Sequence, residues 1–310
     1  MKKSIKIITA CATCAVALGL GIYAFSLKDA NDDIPTFSNI DSTQPTTEMI
    51  EINTLPENWA ENVDYKQSAS GMTGEGKRLF NWNSDIVGWI KINGTKVDYP
   101  IVLDPGYISE NTPFYGSEGY ETNEFYLNHD IDGNILREGS IFMDYRNIFQ
   151  SVENEQSENI ILYGHDMANN NMFGSLRSYW QNYDFYNDRQ FIQLTSNYKT
   201  YDYVIFSFFV TRGLYDDNDF RYWNMEELDT EEEFDFYINR CKSEALVDTG
   251  IDVRNDDTLI TLSTCYQNIS DLKFIVIGRR LRDGENPNDF SSITLTEEYI
   301  NAHSTENVEE

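Results

Sequence analysis

The sequence predicts a mostly β fold, an all-β or α+β barrel, rather than a doubly wound α/β fold. Many short β-branched or apolar runs are separated by turn residues, whereas few segments show helical spacing. No glycine-rich loop leads from a strand into a helix, which excludes the nucleotide-binding folds. Residues 258–281 hold two β-rich runs around a short polar link, so we expect two adjacent strands there.

The N-terminus predicts a single transmembrane helix. Residues 7–27 contain no charged residue, and this run is close to the ~20 residues that cross a bilayer. Lysines precede it, so we expect a single-pass protein of the cell membrane with a cytoplasmic N-terminus and an external domain. A cleaved signal peptide is the main alternative. A lipoprotein cleavage box ending at Cys11 is disfavoured, because too few apolar residues precede that cysteine.

Four segments follow from this interpretation. Residues 1–28 form a cytoplasmic tip and an uncleaved anchor, and residues 29–54 lack hydrophobic periodicity and predict a flexible stalk. Residues 55–283 form the folded domain, which begins with one or two weakly predicted helices before residue 82. Residues 284–310 are acidic and polar, and we expect a loose tail.

The first two β-rich runs of the domain predict a hairpin. They cover residues 87–92 and 97–102, and Asn93-Gly94 between them is a strong turn signal. Further strands are predicted at residues 140–144, 159–163, 191–195, 201–211, 258–262 and 274–277.

Two later segments show helical spacing. Met172, Leu176 and Tyr179 or Trp180 recur at helical intervals within residues 172–181. Residues 226–246 predict a longer helix, with Thr230 as its N-cap and three glutamates near its positive end. This helix precedes the strand that ends near Cys265.

The composition excludes several classes of partner. The formal net charge of −29 argues against nucleic acid and against docking on anionic lipid. No Cys or His pair within residues 55–283 has zinc-ligand spacing, and Asp130 to Asn134 predict a plain turn rather than a calcium loop. We therefore expect no metal and no cofactor.

Cysteine usage indicates a free thiol in the folded domain. Of the four cysteines, Cys11 and Cys14 lie in the apolar run, which leaves two in the domain and no disulfide framework. Cys241 lies in the predicted helix, and we expect it to have a structural rather than a reactive role. Cys265 is either a small buried hydrophobe or a reactive thiol, and a Cys241–Cys265 disulfide has no specific support.

Two candidate catalytic residues each follow a predicted strand. His165 comes after the buried run at 159–163, and Cys265 comes after the run at 258–262, so two strand ends can present an imidazole and a thiol to one cleft. A nearby imidazole can stabilise a thiolate or protonate a leaving amine, and a permanent cation could stabilise an oxyanion. The other histidines, His129 and His303, read as solvated.

These residues carry a family resemblance. The segments around Cys265 (T-L-S-T-C) and His165 (Y-G-H-D-M) resemble the cysteine and histidine motifs of sortases, and the match to class B sortases covers residues 79–281. Supporting motifs are Gly88-Trp89-Ile90, Asp98-Tyr99-Pro100-Ile101, Gly139-Ser140-Ile141-Phe142-Met143-Asp144-Tyr145-Arg146-Asn147, Met172-Phe173 with Leu176, and the helix at 226–246.

The resemblance implies a fold and an activity. The expected fold is a closed barrel of about eight strands, with N-terminal helices and a helix before the catalytic strand. The expected activity is a cysteine transpeptidase outside a Gram-positive-type membrane, in which Cys265 attacks a Thr–Gly-like bond in a sorting motif of secreted proteins. A peptidoglycan cross-bridge or precursor amine would resolve the thioacyl enzyme, with His165 as acid and base.

The resemblance has one departure, at the position where sortases carry a catalytic arginine. Counting back from Gly278, this position is Lys273, which keeps the charge but lacks the planar fork of arginine. Three interpretations are open: Lys273 replaces the arginine, another arginine enters from a loop, or the enzyme is weak or inactive. We favour the first. Arg279 is a poor substitute, since it lies ~20 Å along the strand. Ser263 and Thr264 are candidate substrate contacts.

Two other functions remain open on the sequence. A non-catalytic, wall-associated binding protein descended from a sortase would explain Lys273. A thiol peptidase is the other alternative, although papain-like enzymes place the cysteine before the histidine and at the start of a helix. A pilin polymerase would carry a lid motif, and none stands out.

Overall fold

The computed structural model describes residues 70–103, 123, 125–149, 156–182, 184–213, 220–224, 228–267, 269–287, 290 and 294–295. Its strands are β1 (Ile86–Lys91), β2 (Asp98–Leu103), β3 (Ile141–Met143), β4 (Asn159–Tyr163), β5 (Phe191–Ser196), β6 (Thr200–Arg212), β7 (Val247–Asp248), β8 (Leu259–Tyr266), β9 (Ile269–Arg280) and β10 (Thr294–Leu295). Its α-helices are α1 (Gly74–Trp82), α2 (Ser178–Gln181), α3 (Asp184–Asn187) and α4 (Glu231–Ser243).

Eight of these strands close into a barrel in the order β1-β2-β3-β4-β8-β9-β6-β5. Most neighbours are antiparallel, but β2 pairs with β3 and β4 pairs with β8 in parallel. The predicted closed barrel of about eight strands is confirmed. The parallel β4–β8 pair matters most for function, because it brings two strand ends to the same rim.

The predicted first hairpin is also confirmed. β1 and β2 pair antiparallel, with Lys91 opposite Asp98 next to the turn. Gly94 has φ +75°, a left-handed conformation that favours glycine. Lys91 and Asp98 also form an ion pair of 2.9 Å across this hairpin.

The apolar residues of the sheet divide between two sides. One set fills the barrel interior and includes Ile90, Leu162, Leu262 and Val276. A second cluster lies between the outside of β6, β8 and β9 and the helix α4, to which Tyr237 contributes. Alternate residues of a strand face opposite sides of a sheet, so one strand serves both clusters.

The helix predicted before the catalytic strand is α4. Thr230 caps it through a capping box, in which its hydroxyl accepts from the backbone of Glu233 while the Glu233 carboxylate accepts from the backbone of Thr230. The segment predicted as helical at 172–181 is instead a 3₁₀ turn, Gly174–Arg177, followed by the short α2. One of the predicted N-terminal helices is described, as α1.

The described part of the predicted tail is attached to the domain. The Glu285 carboxylate accepts two hydrogen bonds of 2.7 Å from Arg279, and β10 pairs antiparallel with β7. The expectation of a loose tail therefore does not hold at these positions, because buried Arg279 supplies a partner that composition does not reveal.

The predicted anchor at residues 7–27 and the predicted stalk lie outside the described residues. Within the described ranges, none of the helices has the length and apolar character needed to cross a bilayer.

Candidate active site

Cys265 lies one residue before the end of β8 and is half-buried. Its partner across the antiparallel pair is Lys273 on β9, and the Lys273 Nζ lies 3.5 Å from the Cys265 Sγ. A cation beside a thiol favours the thiolate, which is the nucleophilic form. The lysine found at the arginine position of the motif therefore lies at hydrogen-bond distance from the sulfur.

Register brings His165 to the same rim. In the parallel β4–β8 pair Tyr163 lies opposite Ser263, and the backbone N–H of Gly164 donates to the Ser263 carbonyl at 3.2 Å. His165 follows Tyr163 by two residues, as Cys265 follows Ser263 by two. The imidazole and the thiol therefore lie at equivalent positions near the ends of two adjacent strands.

The imidazole of His165 contacts a different partner in this conformation. Its Nε2 lies 2.8 Å from the Leu127 carbonyl oxygen. A carbonyl only accepts, so Nε2 carries a proton and Nδ1 is the other ring position available for acid–base work. No hydrogen bond joins His165 to Cys265 among the described side chains.

A cavity of about 350 Å³ opens beside the thiol. Cys265 and Thr264 line it from β8, and Trp180, Tyr266 and Phe274 supply aromatic surface. The Trp180 and Tyr266 rings contact each other, with centroids 5.2 Å apart. The cavity is large enough for a few peptide atoms next to the sulfur, and its lining is mixed polar and aromatic.

Thr264 and Ser263, both predicted to contact substrate, lie in different surroundings. The Thr264 hydroxyl is buried and has no hydrogen-bond partner within the described part of the chain. The Ser263 hydroxyl is buried and lies 2.6 Å from the Tyr222 hydroxyl, outside the cavity lining. A buried hydroxyl without a partner beside the cavity makes Thr264 the better placed of the two for binding a substrate group.

An arginine fixes the loop after His165. The guanidinium of Arg177 donates to the Asp166 carboxylate at 2.6 Å, to the Met167 carbonyl at 2.6 Å and to the Asn170 side chain at 2.9 Å. Asn170 and Met172 have φ +68° and +52°, in the left-handed region that such residues seldom adopt. Arg177 therefore ties together a loop of constrained backbone that forms one wall of the cavity.

Asp166 has a perturbed acidity. Burial raises the pKa of its carboxyl group, and the nearby Arg177 charge opposes this shift. The ion pair therefore lowers the cost of keeping a carboxylate in the cavity wall.

Tyr222 is a second neighbour of the thiol that the sequence did not indicate. Burial raises the pKa of its phenol, and the Cys265 charge adds to that rise while the Ser263 hydrogen bond opposes it. The carbonyl of the adjacent Trp223 accepts from Arg146, which also pairs with buried Asp144 at 2.8 Å. This hydrogen-bonded chain holds the Tyr222 segment against β8.

Arg279, the alternative cation on β9, has other partners. It lies opposite Leu259 at the far end of the β8–β9 pair and is 1% exposed. Its guanidinium pairs with Glu285 and donates to the Asp252 carbonyl. Arg279 is therefore a poor partner for the thiol for two reasons, its distance along the strand and its burial in an ion-pair cluster.

Arg177 and Tyr222 were not predicted as site residues. Arg177 directly follows Leu176, which belongs to one of the motifs that resemble class B sortases, so the sequence contains a weak indication of it. Tyr222 lies in a stretch without hydrophobic periodicity and had no such indication. For metal binding, no cluster of three or more His, Cys, Asp or Glu side chains is arranged as ligands among the residues that the structure covers.

The sortase-domain family profile matches residues 90–281, more than half of the chain. The chain belongs to the sortase family. Two curated relatives are sortase B proteins. That of Staphylococcus aureus is 30% identical over 64% of this chain and 72% of the relative. That of Listeria monocytogenes is 32% identical over 59% of this chain and 63% of the relative.

Solved sortase B structures share the fold. The Clostridium perfringens sortase B structure matches with a TM-score of 0.54 and 26% identity, covering 66% of this chain and 99% of that one. The Staphylococcus aureus sortase B–substrate complex matches with a TM-score of 0.56 and 27% identity, covering 69% and 88%. The predicted class B resemblance is confirmed, and the chain is a sortase-type cysteine transpeptidase.

Proposed function

We propose that this sortase is anchored in the cell membrane, cleaves a C-terminal sorting motif of secreted proteins and joins them to a peptidoglycan amine. The observation that carries the proposal is the 3.5 Å contact between the Lys273 Nζ and the Cys265 Sγ, at the rim where the His165 strand also ends. The fit to the sortase B–substrate complex supports a peptide substrate.

In the first half-reaction the Cys265 thiolate attacks the carbonyl carbon of the scissile peptide bond. The carbonyl oxygen becomes an oxyanion, and the ammonium of Lys273 supplies positive charge close to it. The C–N bond then breaks, and the leaving amine takes a proton from His165. The products are a thioester between Cys265 and the sorting-motif acyl group, and a released C-terminal peptide.

In the second half-reaction an acceptor amine attacks the thioester carbonyl. His165, now neutral, takes the proton that the amine loses, and the thiolate of Cys265 leaves. A new amide bond joins the secreted protein to peptidoglycan. Electrons and protons balance over the cycle, so no cofactor is needed.

The His165 ring must turn to serve these steps. Its Nε2 donates to the Leu127 carbonyl, which holds the ring without involving the thiol. Catalytic hydrogen bonds are often long or absent before substrate binds. We expect a bound peptide to draw the imidazole towards the leaving amine.

The substrate peptide fits the cavity beside Cys265. Thr264 offers a buried hydroxyl without a partner in the described structure, and the Trp180–Tyr266 wall offers apolar surface. Ser263 acts indirectly, through the Tyr222 contact that fixes the end of β8. A peptide-library cleavage assay would identify the sequence of the sorting motif.

The anchor at residues 7–27 would keep the domain at the outer face of the cell membrane, where secreted substrates and the amines of the cell wall meet. Its basic N-terminal flank supports this orientation. A test is protease protection of the full-length chain in intact cells, in which external protease removes the domain and leaves the N-terminus.

The central experiment compares the full-length chain with Cys265→Ala and His165→Ala variants in cleavage of a sorting-motif peptide. Each variant should lose cleavage entirely, since one lacks the nucleophile and the other the proton donor. Near-normal cleavage by either variant would reject its assigned role. Added peptidoglycan-type amine should convert the hydrolysis product of the native enzyme into the transfer product, whereas a plain thiol peptidase would give hydrolysis alone.

A further inference from the structure

The Cys265–Lys273 contact has a second chemical capability besides transpeptidation. The antiparallel register fixes the two residues opposite each other, and the amine nitrogen lies 3.5 Å from the sulfur. Gly213, after the end of β6, lies against the lysine stem, where an added Cβ would be 3.0 Å from Lys273 Cγ. The backbone at Gly213 therefore packs against the methylene chain of Lys273 and helps to direct the amine towards the thiol.

The other described cysteine is poorly placed to react with Cys265. Cys241 is fully buried in α4, and burial raises the pKa of its thiol. Its carbonyl accepts a hydrogen bond from Ser207, which lies opposite Ile277 on β9. Ile277 is four residues from Lys273, roughly 13 Å along the strand. Of Cys241 and Lys273, only the lysine therefore has its reactive atom at contact distance from the Cys265 sulfur.

We propose that Cys265 and Lys273 form a reversible sulfur–nitrogen crosslink when the thiol is oxidised by a peroxide. This inference goes beyond transpeptidation and does not depend on it. It makes Lys273 a modification site, and it concerns a lysine that stands where the family motif has an arginine. A guanidinium holds its proton too firmly to act as this nucleophile.

The chemistry balances in two steps. First, the Cys265 thiolate attacks hydrogen peroxide, the O–O bond breaks, and a sulfenic acid and hydroxide form. The sulfur is oxidised by two electrons and the peroxide is reduced. Second, the neutral amine of Lys273 attacks the sulfur, the S–O bond breaks, and the hydroxide that leaves takes up the nitrogen proton as water.

The overall reaction consumes one thiol, one amine and one peroxide, and yields one S–N bond and two waters. Condensation of a sulfenic acid with a nitrogen is established chemistry for protein backbones. The two groups here are held at contact distance, which gives a high effective concentration. The crosslink keeps the sulfur below the irreversible sulfinic and sulfonic states. An added thiol attacks the sulfur and releases the amine, which leaves a mixed disulfide, and a second thiol then displaces Cys265 as a free thiol.

The test uses the purified full-length chain, treated with hydrogen peroxide near pH 8 and analysed by mass spectrometry. A protease that cuts before Asp271 separates the two residues in sequence, so a crosslink holds two peptides together. We expect a joined pair lighter by two hydrogen atoms than the two peptides, and we expect dithiothreitol to separate it. A pair heavier by one further oxygen would show an N–O–S bridge and overturn the condensation step.

Two variants serve as controls. Lys273→Arg keeps the charge, and it should give no crosslink and several-fold more sulfinic and sulfonic acid at Cys265. Lys91→Arg makes the same change on β1, next to Asp98, and should leave the crosslink intact. Circular dichroism confirms that both variants fold.

Three results would overturn the proposal. One is equal overoxidation of Cys265 in the native chain and in Lys273→Arg. Another is a disulfide of Cys265 with Cys11, Cys14 or Cys241 in place of the crosslink. The third is a sulfenic acid that dimedone traps equally in both chains, since the native amine should compete with dimedone.

Discussion

The two ends of the β8–β9 pair carry a cation each, in opposite surroundings. At one end Lys273 lies opposite Cys265 and contacts its sulfur. At the other end Arg279 lies opposite Leu259, is 1% exposed, and gives two hydrogen bonds of 2.7 Å to Glu285. The same strand face therefore holds a half-buried amine beside a thiol and a buried guanidinium beside carboxylates.

The partners of each cation determine whether its charge stabilises the fold or changes the reactivity of a neighbouring group. The Arg279 donors are directed to a carboxylate and to backbone carbonyls, so its charge is compensated inside the fold. Lys273 contacts an atom that can itself change charge and form bonds. The first arrangement stabilises the folded chain, and the second changes the reactivity of a neighbour.

Removing the structural cation should have the largest effect. Arg279→Ala leaves Glu285 without its bidentate partner and removes one of the two arginines near Asp257, and breaking such a buried pair costs ~3–5 kcal/mol of the free energy of unfolding. Chemical denaturation measures this. Arg254→Ala is the matched control, because its pair with Asp252 is exposed and should cost under ~1 kcal/mol. Equal losses in both variants would contradict the comparison.

Removing the chemical cation should affect activity and spare stability. Lys273→Ala is expected to lower kcat/KM for a sorting-motif peptide by ~10- to 100-fold, the equivalent of one charged hydrogen bond. Lys273→Arg should keep or raise activity, because charge remains. Kinetics on the full-length chain measure both, with Lys91→Ala as control. Unchanged kcat/KM in Lys273→Ala would remove this residue from the site.

Weakening the loop after His165 should have a smaller effect. Arg177→Lys keeps the charge but cannot serve the Asp166, Met167 and Asn170 acceptors together. We expect kcat to fall by ~10-fold, because the loop positions His165, and we expect a smaller rise in KM, because the same loop forms one wall of the cavity. Arg189→Lys, on α3's C-terminal side, is the control. A loss of stability without a change in kcat would make Arg177 purely structural.

The smallest effect concerns acid stability at the Arg279 end. The Arg279 hydrogen bond holds the pKa of Glu285 below its usual range. A carboxyl with a lowered folded pKa stabilises the fold above its unfolded pKa, near ~4.3, and this contribution disappears as pH falls through the folded pKa. Melting temperatures of the native chain and Glu285→Gln should therefore differ at pH 7 and converge towards pH 3. Parallel curves would contradict the assignment.

Local signals explain what the sequence predicted well. The β4 strand at residues 159–163, the β1–β2 hairpin and the Thr230 cap each depend on nearby residues, such as the Asn93-Gly94 turn and the capping glutamate Glu233. The position of Cys265 and His165 near the ends of two strands was also predicted, because each comes directly after an apolar run in the sequence. Their catalytic roles stay predictions until the variants are assayed.

Non-local register explains what the sequence missed. Whether Lys273 reaches the thiol depends on strand pairing, which includes a register shift directly after Cys265. The direction of the Ser263 hydroxyl, bonded to Tyr222, depends on a segment far away along the chain. The partner of Arg279 lies in a region whose acidic composition suggested no structure. None of these follows from a local pattern.

The parallel pairing of β4 with β8 separates the spacing of the catalytic groups from the length of chain between them. Since both strands point the same way, the chain between them must cross back over the barrel before it returns to the same rim. The α4 helix lies in this crossing and outside the cavity lining, so its length can change without moving the paired ends of β4 and β8.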